Sequence, residues 1–249
     1  MTRTLPVLLA SAAILACAHG PSAKEVRSAE IHHDLGVEAL GAGRAQEALQ
    51  EFEAALAIDE RFAEAHLGRA LVLEFGFSRA DEAEKAYRRA IALKPGYSEA
   101  HNDLGQLLAK SGRYEEAVAQ FDAALGDLLY REPYVARCNK GQALRRMGRR
   151  EEGMAELQAC VRLAPRYCDG RRELGRLLLQ DGQVKEALGE LTAYATACAK
   201  RADAHWQLGL ARMKGGDVAG AREAFERCRE LGQGNAEGEE CGKSLSLLE

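Results

Sequence analysis

Six cysteines, Cys138, Cys160, Cys168, Cys198, Cys228 and Cys241, crowd the C-terminal half of the chain, and a seventh stands apart at Cys17. Thiols in such number can oxidise in pairs, bind a soft metal or pack as small hydrophobes. No two are spaced as CxxC, which argues against zinc, and an even count points to disulfides in an exported chain, with 15 possible pairings. Four of the six histidines, His32, His66, His101 and His205, recur at corresponding places along the chain, with His33 the only adjacent partner. Ligands spread in this way do not converge on a metal, so a recurring structural demand for a large ring is expected instead. The acidic pairs Glu115-Glu116 and Glu151-Glu152 read as solvated helix faces. No Gly-rich loop follows a strand, and no Ser, His and Asp arrangement stands out. Neither catalysis nor a cofactor is expected.

The elements that position these residues are helices. Of 249 residues, 47% are hydrophobic, 29% charged and only 6% aromatic, and Ala, Leu, Glu, Arg and Gly dominate, a composition suited to packed helices. A formal net charge of −4 offers no basic face for a phosphate backbone, so nucleic acid is not an expected partner. Beyond residue 28 a helical pattern recurs about every 34 residues, with units at 29–62, 63–97, 98–133, 134–167, 168–201 and 202–235. First helices carry Leu35-Gly36, Leu104-Gly105, Leu174-Gly175 and Leu208-Gly209. Second helices carry Ala48, Phe52 and Ala55, then Ala83, Tyr87 and Ala90, then Ala117, Phe121 and Ala124, then Ala221 and Phe225. Gly112, Gly148, Gly182 and Gly216 mark the turns inside units, where a residue free to take positive φ ends a helix.

This pattern resembles the tetratricopeptide repeat. The resemblance implies an all-α, right-handed superhelical solenoid of six helix pairs, closed by a C-terminal capping helix over residues 236–249. Two antiparallel helices joined near repeat position 16 bring together positions whose numbers sum to about 32. Cys168 and Cys198 satisfy that, as do Cys138 and Cys160, although the position of Cys138 usually faces the groove. Cys228 would meet the following helix, where Cys241 lies; buried free thiols are the alternative throughout. The first helices of such a stack line a concave groove. Its expected lining falls into three zones: Val37, Leu40, Leu67, Leu71 and Phe75 at one end, Arg145, Arg146, Arg172 and Arg176 in the middle, and Trp206, Leu210 and Met213 at the other end. Exposed apolar surface flanking arginines suits a segment of another protein. An extra residue near Gly76-Phe77 blurs the register of repeat two.

The N-terminus reads as an export signal over residues 1–16, with Arg3 followed by an apolar run from Leu5 to Ala16 that is too short to span a bilayer. Its end, Ile14-Leu15-Ala16-Cys17, resembles the lipobox of bacterial lipoproteins, which implies acylation of Cys17 and membrane anchoring. Ala18 stands where an Asp would mark inner-membrane retention, so an outer-membrane, periplasm-facing address is expected. Residues 17–28 read as a flexible tether.

After repeat three, Ala124 to Tyr134 lengthens the junction by two residues and shifts the terminal proline to Pro133; Leu129-Tyr130 precede it, and Asn139-Lys140-Gly141 follow. Together with the repeat count and Cys17, this resembles the type IV pilus biogenesis lipoproteins, the pilotins. That resemblance implies a binding factor for the pilus secretin, promoting its localisation or multimerisation, with a secretin subunit as partner and no small-molecule substrate. A general periplasmic adaptor for envelope or peptidoglycan assembly is the competing expectation, since it would share anchor and repeats without needing the long junction.

Overall fold

The computed structural model describes residues 20–248, so the export signal and Cys17 lie outside the described residues. Within them thirteen α-helices follow one another without a strand. They form six antiparallel pairs: α1 (Ala23–Gly41) with α2 (Ala45–Ile58), α3 (Ala63–Leu71) with α4 (Ala80–Leu93), α5 (Ser98–Lys110) with α6 (Tyr114–Leu125), α7 (Pro133–Arg146) with α8 (Arg150–Leu163), α9 (Cys168–Gln180) with α10 (Val184–Ala197), and α11 (Ala202–Lys214) with α12 (Val218–Leu231). A last helix, α13 (Ala236–Ser246), lies against α12 and α11. Each helix contacts its chain neighbours, and each pair stacks on the next.

The large side chains of the second helices hold the pairs together. Phe52, Tyr87, Phe121, Leu157, Leu191 and Phe225 are all at most 1% exposed. Each ring needs a seat on the facing first helix, and a Cβ at Gly105 or Gly209 would stand 2.6 or 2.5 Å from Phe121 or Phe225. Only glycine permits that approach. Phe121→Ala should cost about 3–5 kcal/mol because it empties a closed seat, read as a lowered urea midpoint at unchanged slope.

Repeat two absorbs its extra residue in a π-helical turn, Val72–Gly76, at the end of α3. The amide closing the turn inside a pair bonds five residues back in repeat three, from Arg113 to Leu108, but six residues back in repeat two, from Arg79 to Leu73. Positive φ accordingly falls on Ser78 (56°) there, in place of the glycine seen at Gly112 (78°).

Two expectations need correction. Residues 23–28 are helical and do not belong to a flexible tether, because Ser22 and Glu25 form a capping box in which the Ser22 amide donates to Glu25 Oε2 at 2.7 Å. The S-x-x-E signal for that start stands in the sequence. The recurring histidines serve as polar struts and do more than fill space with a ring. His66, His101 and His205 donate from Nε2 to the carbonyls of Glu60, Pro95 and Ala199 in the preceding turn, while His32 Nδ1 lies 2.7 Å from Glu51 on the second helix. Arg137 and Arg171 occupy the same place in repeats four and five and reach Glu156 and Glu190. Hydrogen-bonding reach, shared by His and Arg, is what the position selects.

Candidate functional site

The first helices face one another along one side of the stack, α1 with α3, α5 with α7, α7 with α9 and α9 with α11, and over repeats three to six they enclose a groove. It consists of three adjoining cavities. The first, about 370 Å³, lies between α5 and α7 and includes Lys110, Gln142 and Arg146. A polar one of about 250 Å³ shares Gln142 and Arg146 and adds Arg145, Glu173, Arg176 and Gln180. Arg176 and Gln180 in turn border the third, about 640 Å³, where Leu179, Trp206, Leu210 and Met213 supply a mainly apolar wall. A peptide laid along the groove would pass from amides and arginines into a greasy end.

The middle zone is electropositive because few carboxylates enter it. Arg145 donates from Nη2 to Gln180 at 3.0 Å, yet its buried Nε has no partner. Burial, followed by the charges of Arg150, Arg146 and Arg176 and opposed by Glu173, holds its pKa below the ordinary arginine value. Arg146 and Arg176 are exposed, and Arg176 is 3.5 Å from Glu173. Arg172, expected beside them, is half-buried and held by Asp169, Glu173 and Asp203, so it closes the wall and offers no free charge.

The apolar zone expected at repeats one and two is smaller than the sequence implies. Leu67 is buried in the cluster that contains Tyr97, Ala100 and Leu104 and is closed to a ligand, and Leu71 packs partly against that cluster, which leaves only part of its side chain exposed. Leu40 packs against Ala39, Ala48, Phe52 and Val72. Val37 (51%) and Phe75 (63%) remain exposed, and the Lys110 ammonium sits 4.6 Å over the Phe75 ring. Lys110 also pairs with Glu74 at 2.6 Å.

Several groove residues escape the sequence reading. Gln142, Gln180, Lys110 and Lys214 fall at the same repeat positions as the residues singled out, so periodicity alone could have found them. Glu173 lies one position outside that pattern, and Asp103 on α5 holds the corresponding place in repeat three without lining any of the three cavities. Asp103 is pushed up to about 6, first by burial and then by Glu74 and Glu99, against the hydrogen bond from Asn102 and the charge of Lys110. A carboxyl whose pKa rises on folding keeps its proton in the folded state while the unfolded chain loses it. Stability therefore falls as pH climbs from about 4 to about 6 and stays lowered above that. Asp103→Asn should remove this slope and raise stability at neutral pH by on the order of 2 kcal/mol, read from urea midpoints at several pH values.

All six remaining cysteines are bridged. Cys138 joins Cys160 within repeat four, Cys168 joins Cys198 within repeat five, and Cys228 joins Cys241 on α13, with Cα separations of 5.4, 6.1 and 6.0 Å. Cys138 is 2% exposed and turns away from the groove. Among the described residues no group of three His, Cys, Asp or Glu side chains is placed to hold a metal.

A family model described as tetratricopeptide repeat matches residues 33–76 and 73–129, and a second with the same description matches 134–167. No curated protein sequence matches the chain. Among solved structures, PilW, described as a widely conserved type IV pilus biogenesis factor, superposes with a TM-score of 0.78 at 25% identity, over 85% of this chain and 97% of that one. PilF of Pseudomonas aeruginosa does so at 0.77 and 22%, over 89% and 99%. YrrB, a repeat protein described as having an unusual peptide-binding site, reaches 0.56 at 20%, over 77% and 97%.

Proposed function

The chain belongs to the tetratricopeptide repeat family, and from that premise we propose that it is a lipid-anchored scaffold whose concave groove captures a segment of the type IV pilus secretin and promotes its outer-membrane localisation or multimerisation. The continuous groove of α5, α7, α9 and α11, arginine-rich in the middle and apolar at the Trp206 end, carries the binding reading. The pilus side of the proposal is supported by the likeness to a type IV pilus biogenesis factor along nearly its whole length and by the long junction ending at Pro133. In this reading Cys17 is acylated and holds the solenoid at the periplasmic face of the outer membrane. The groove then raises the local concentration of secretin subunits beside the membrane they must enter.

Anchoring and packing use separate residues, so Cys17→Ala should move the protein from the membrane to the soluble fraction without changing its thermal transition. Unaltered fractionation would count against lipidation. For the partner, the readout is heat-resistant secretin multimer relative to total secretin in cells lacking this chain. A fall in multimer with persisting monomer is expected; unchanged multimer would favour a general periplasmic adaptor.

A further inference from the structure

Antiparallel pairing sends each first helix from one rim of the solenoid to the other and each second helix back. The turns between repeats therefore share a rim with the start of α1. That rim carries an amphipathic patch at repeats three and four. Leu128 and Leu129, in the turn between α6 and α7, are 97% and 88% exposed, and Leu163, the last residue of α8 beside the next turn, is 55% exposed. The first turn is firmly built. Asp127 accepts from the Leu129 amide at 2.8 Å and from Ser98 Oγ at 2.7 Å, and Tyr130 is buried with Ala124 and Ala136. Tyr134 meets Tyr167 edge-on at 5.0 Å, which ties this turn to the next.

An ordered turn that presents adjacent leucines to water calls for a partner. The cations around it say what kind. Arg131, Arg162 and Arg166 are exposed, and among the described residues none of them forms an ion pair, whereas Arg113, Arg137, Arg171 and Arg201 are each held by a carboxylate. Leucines to enter an acyl boundary, with arginines beside them to meet phosphate, are the composition of a surface that rests on an anionic bilayer. The tether is consistent with this assignment. Cys17 stands six residues before Ala23, so a fully extended link reaches only about 20 Å, and an acylated Cys17 keeps the start of α1, which lies on this same rim, near the headgroups.

We propose that this rim is a bilayer-docking surface, in which Leu128, Leu129 and Leu163 enter the lipid interface and Arg131, Arg162 and Arg166 hold anionic headgroups. The inference rests on the anchoring reading above. Acyl chains alone would leave the solenoid free to swivel; a second contact on the same rim fixes how the groove is presented.

The test is hydrogen exchange on the purified, lipidated full chain, bound to vesicles of phosphatidylethanolamine with phosphatidylglycerol and compared with the same chain in detergent. Amides of 127–132 and 163–167 should exchange about tenfold slower on vesicles, while the opposite-rim turns at Gly112, Gly148, Gly182 and Gly216 stay unchanged. Leu128→Ser with Leu129→Ser, at positions too exposed to support the fold, should abolish the slowing while the chain still floats with the vesicles. Flotation with unslowed rim turns overturns the docking surface alone. Slowing that arises only when periplasmic proteins are added overturns it in favour of a protein contact. A chain that does not float removes the anchor and the docking surface together.

Discussion

Reducing the three disulfides should unfold the C-terminal half of the solenoid at conditions where repeats one to three stay folded. The bridges close loops of 22, 30 and 13 residues, and each is worth about 3 kcal/mol in the chain-entropy account. Each bridge lies within one repeat or joins the last repeat to its cap, so the loss falls on repeats four to six and α13. Stability in a stack passes only between neighbours, which lets one half melt while the other holds. Repeats four and five also have less to fall back on, since Leu157 and Leu191 fill seats that repeats one, three and six fill with Phe52, Phe121 and Phe225. Gly170 packs directly on the bridge of repeat four, where a Cβ would stand 2.9 Å from the Cys160 sulfur and 3.0 Å from that of Cys138; the bridge is core as well as staple. The measurement is hydrogen exchange with and without reductant. Fast exchange from α7 onward, with α3 to α6 protected, is the expected pattern, and a uniform loss across all repeats would contradict it.

Reversing the groove's exposed charges should weaken the partner without touching the fold. Arg146 is unpaired among the described residues, and Arg176 has only the 3.5 Å contact to Glu173, so neither supports the core. Arg146→Glu with Arg176→Glu would turn the middle of the groove from cationic to acidic. For the proposed secretin partner the expected loss of affinity is at least about 100-fold, in the range of central interface anchors, while thermal midpoints stay within error. The same change at Arg172 would be a poor test, because its neighbours Asp169 and Asp203 would be left facing a new carboxylate.

Much of this architecture is legible in the residues because a repeat states each rule several times. Phe52, Phe121 and Phe225 fall at one position and do one job, so the helix pairs and their seats follow from spacing alone. What spacing does not reveal is the neighbour across a contact. Leu67 lies on the face that should line the groove, yet it is buried in one cluster with Tyr97 at the end of its own repeat and Leu104 of the next. Arg172 lies on the same face, and carboxylates from two successive first helices neutralise it. The π-turn at Val72–Gly76 explains the blurred register of repeat two, because one inserted residue shifts every side chain after it by about 100° until the turn absorbs it. Asp103 stands out only once burial and the charges of Glu74 and Glu99 are known.

In the proposed function a partner segment lies in the concave groove. Photo-crosslinkers placed in cells at Gln142 and Leu210, inside the groove, and at Ala123 and Glu226, on exposed faces of α6 and α12, test it most directly. Secretin adducts from the two groove positions and none from the outer pair are predicted. Adducts confined to the outer positions, or none from any of the four, would contradict it.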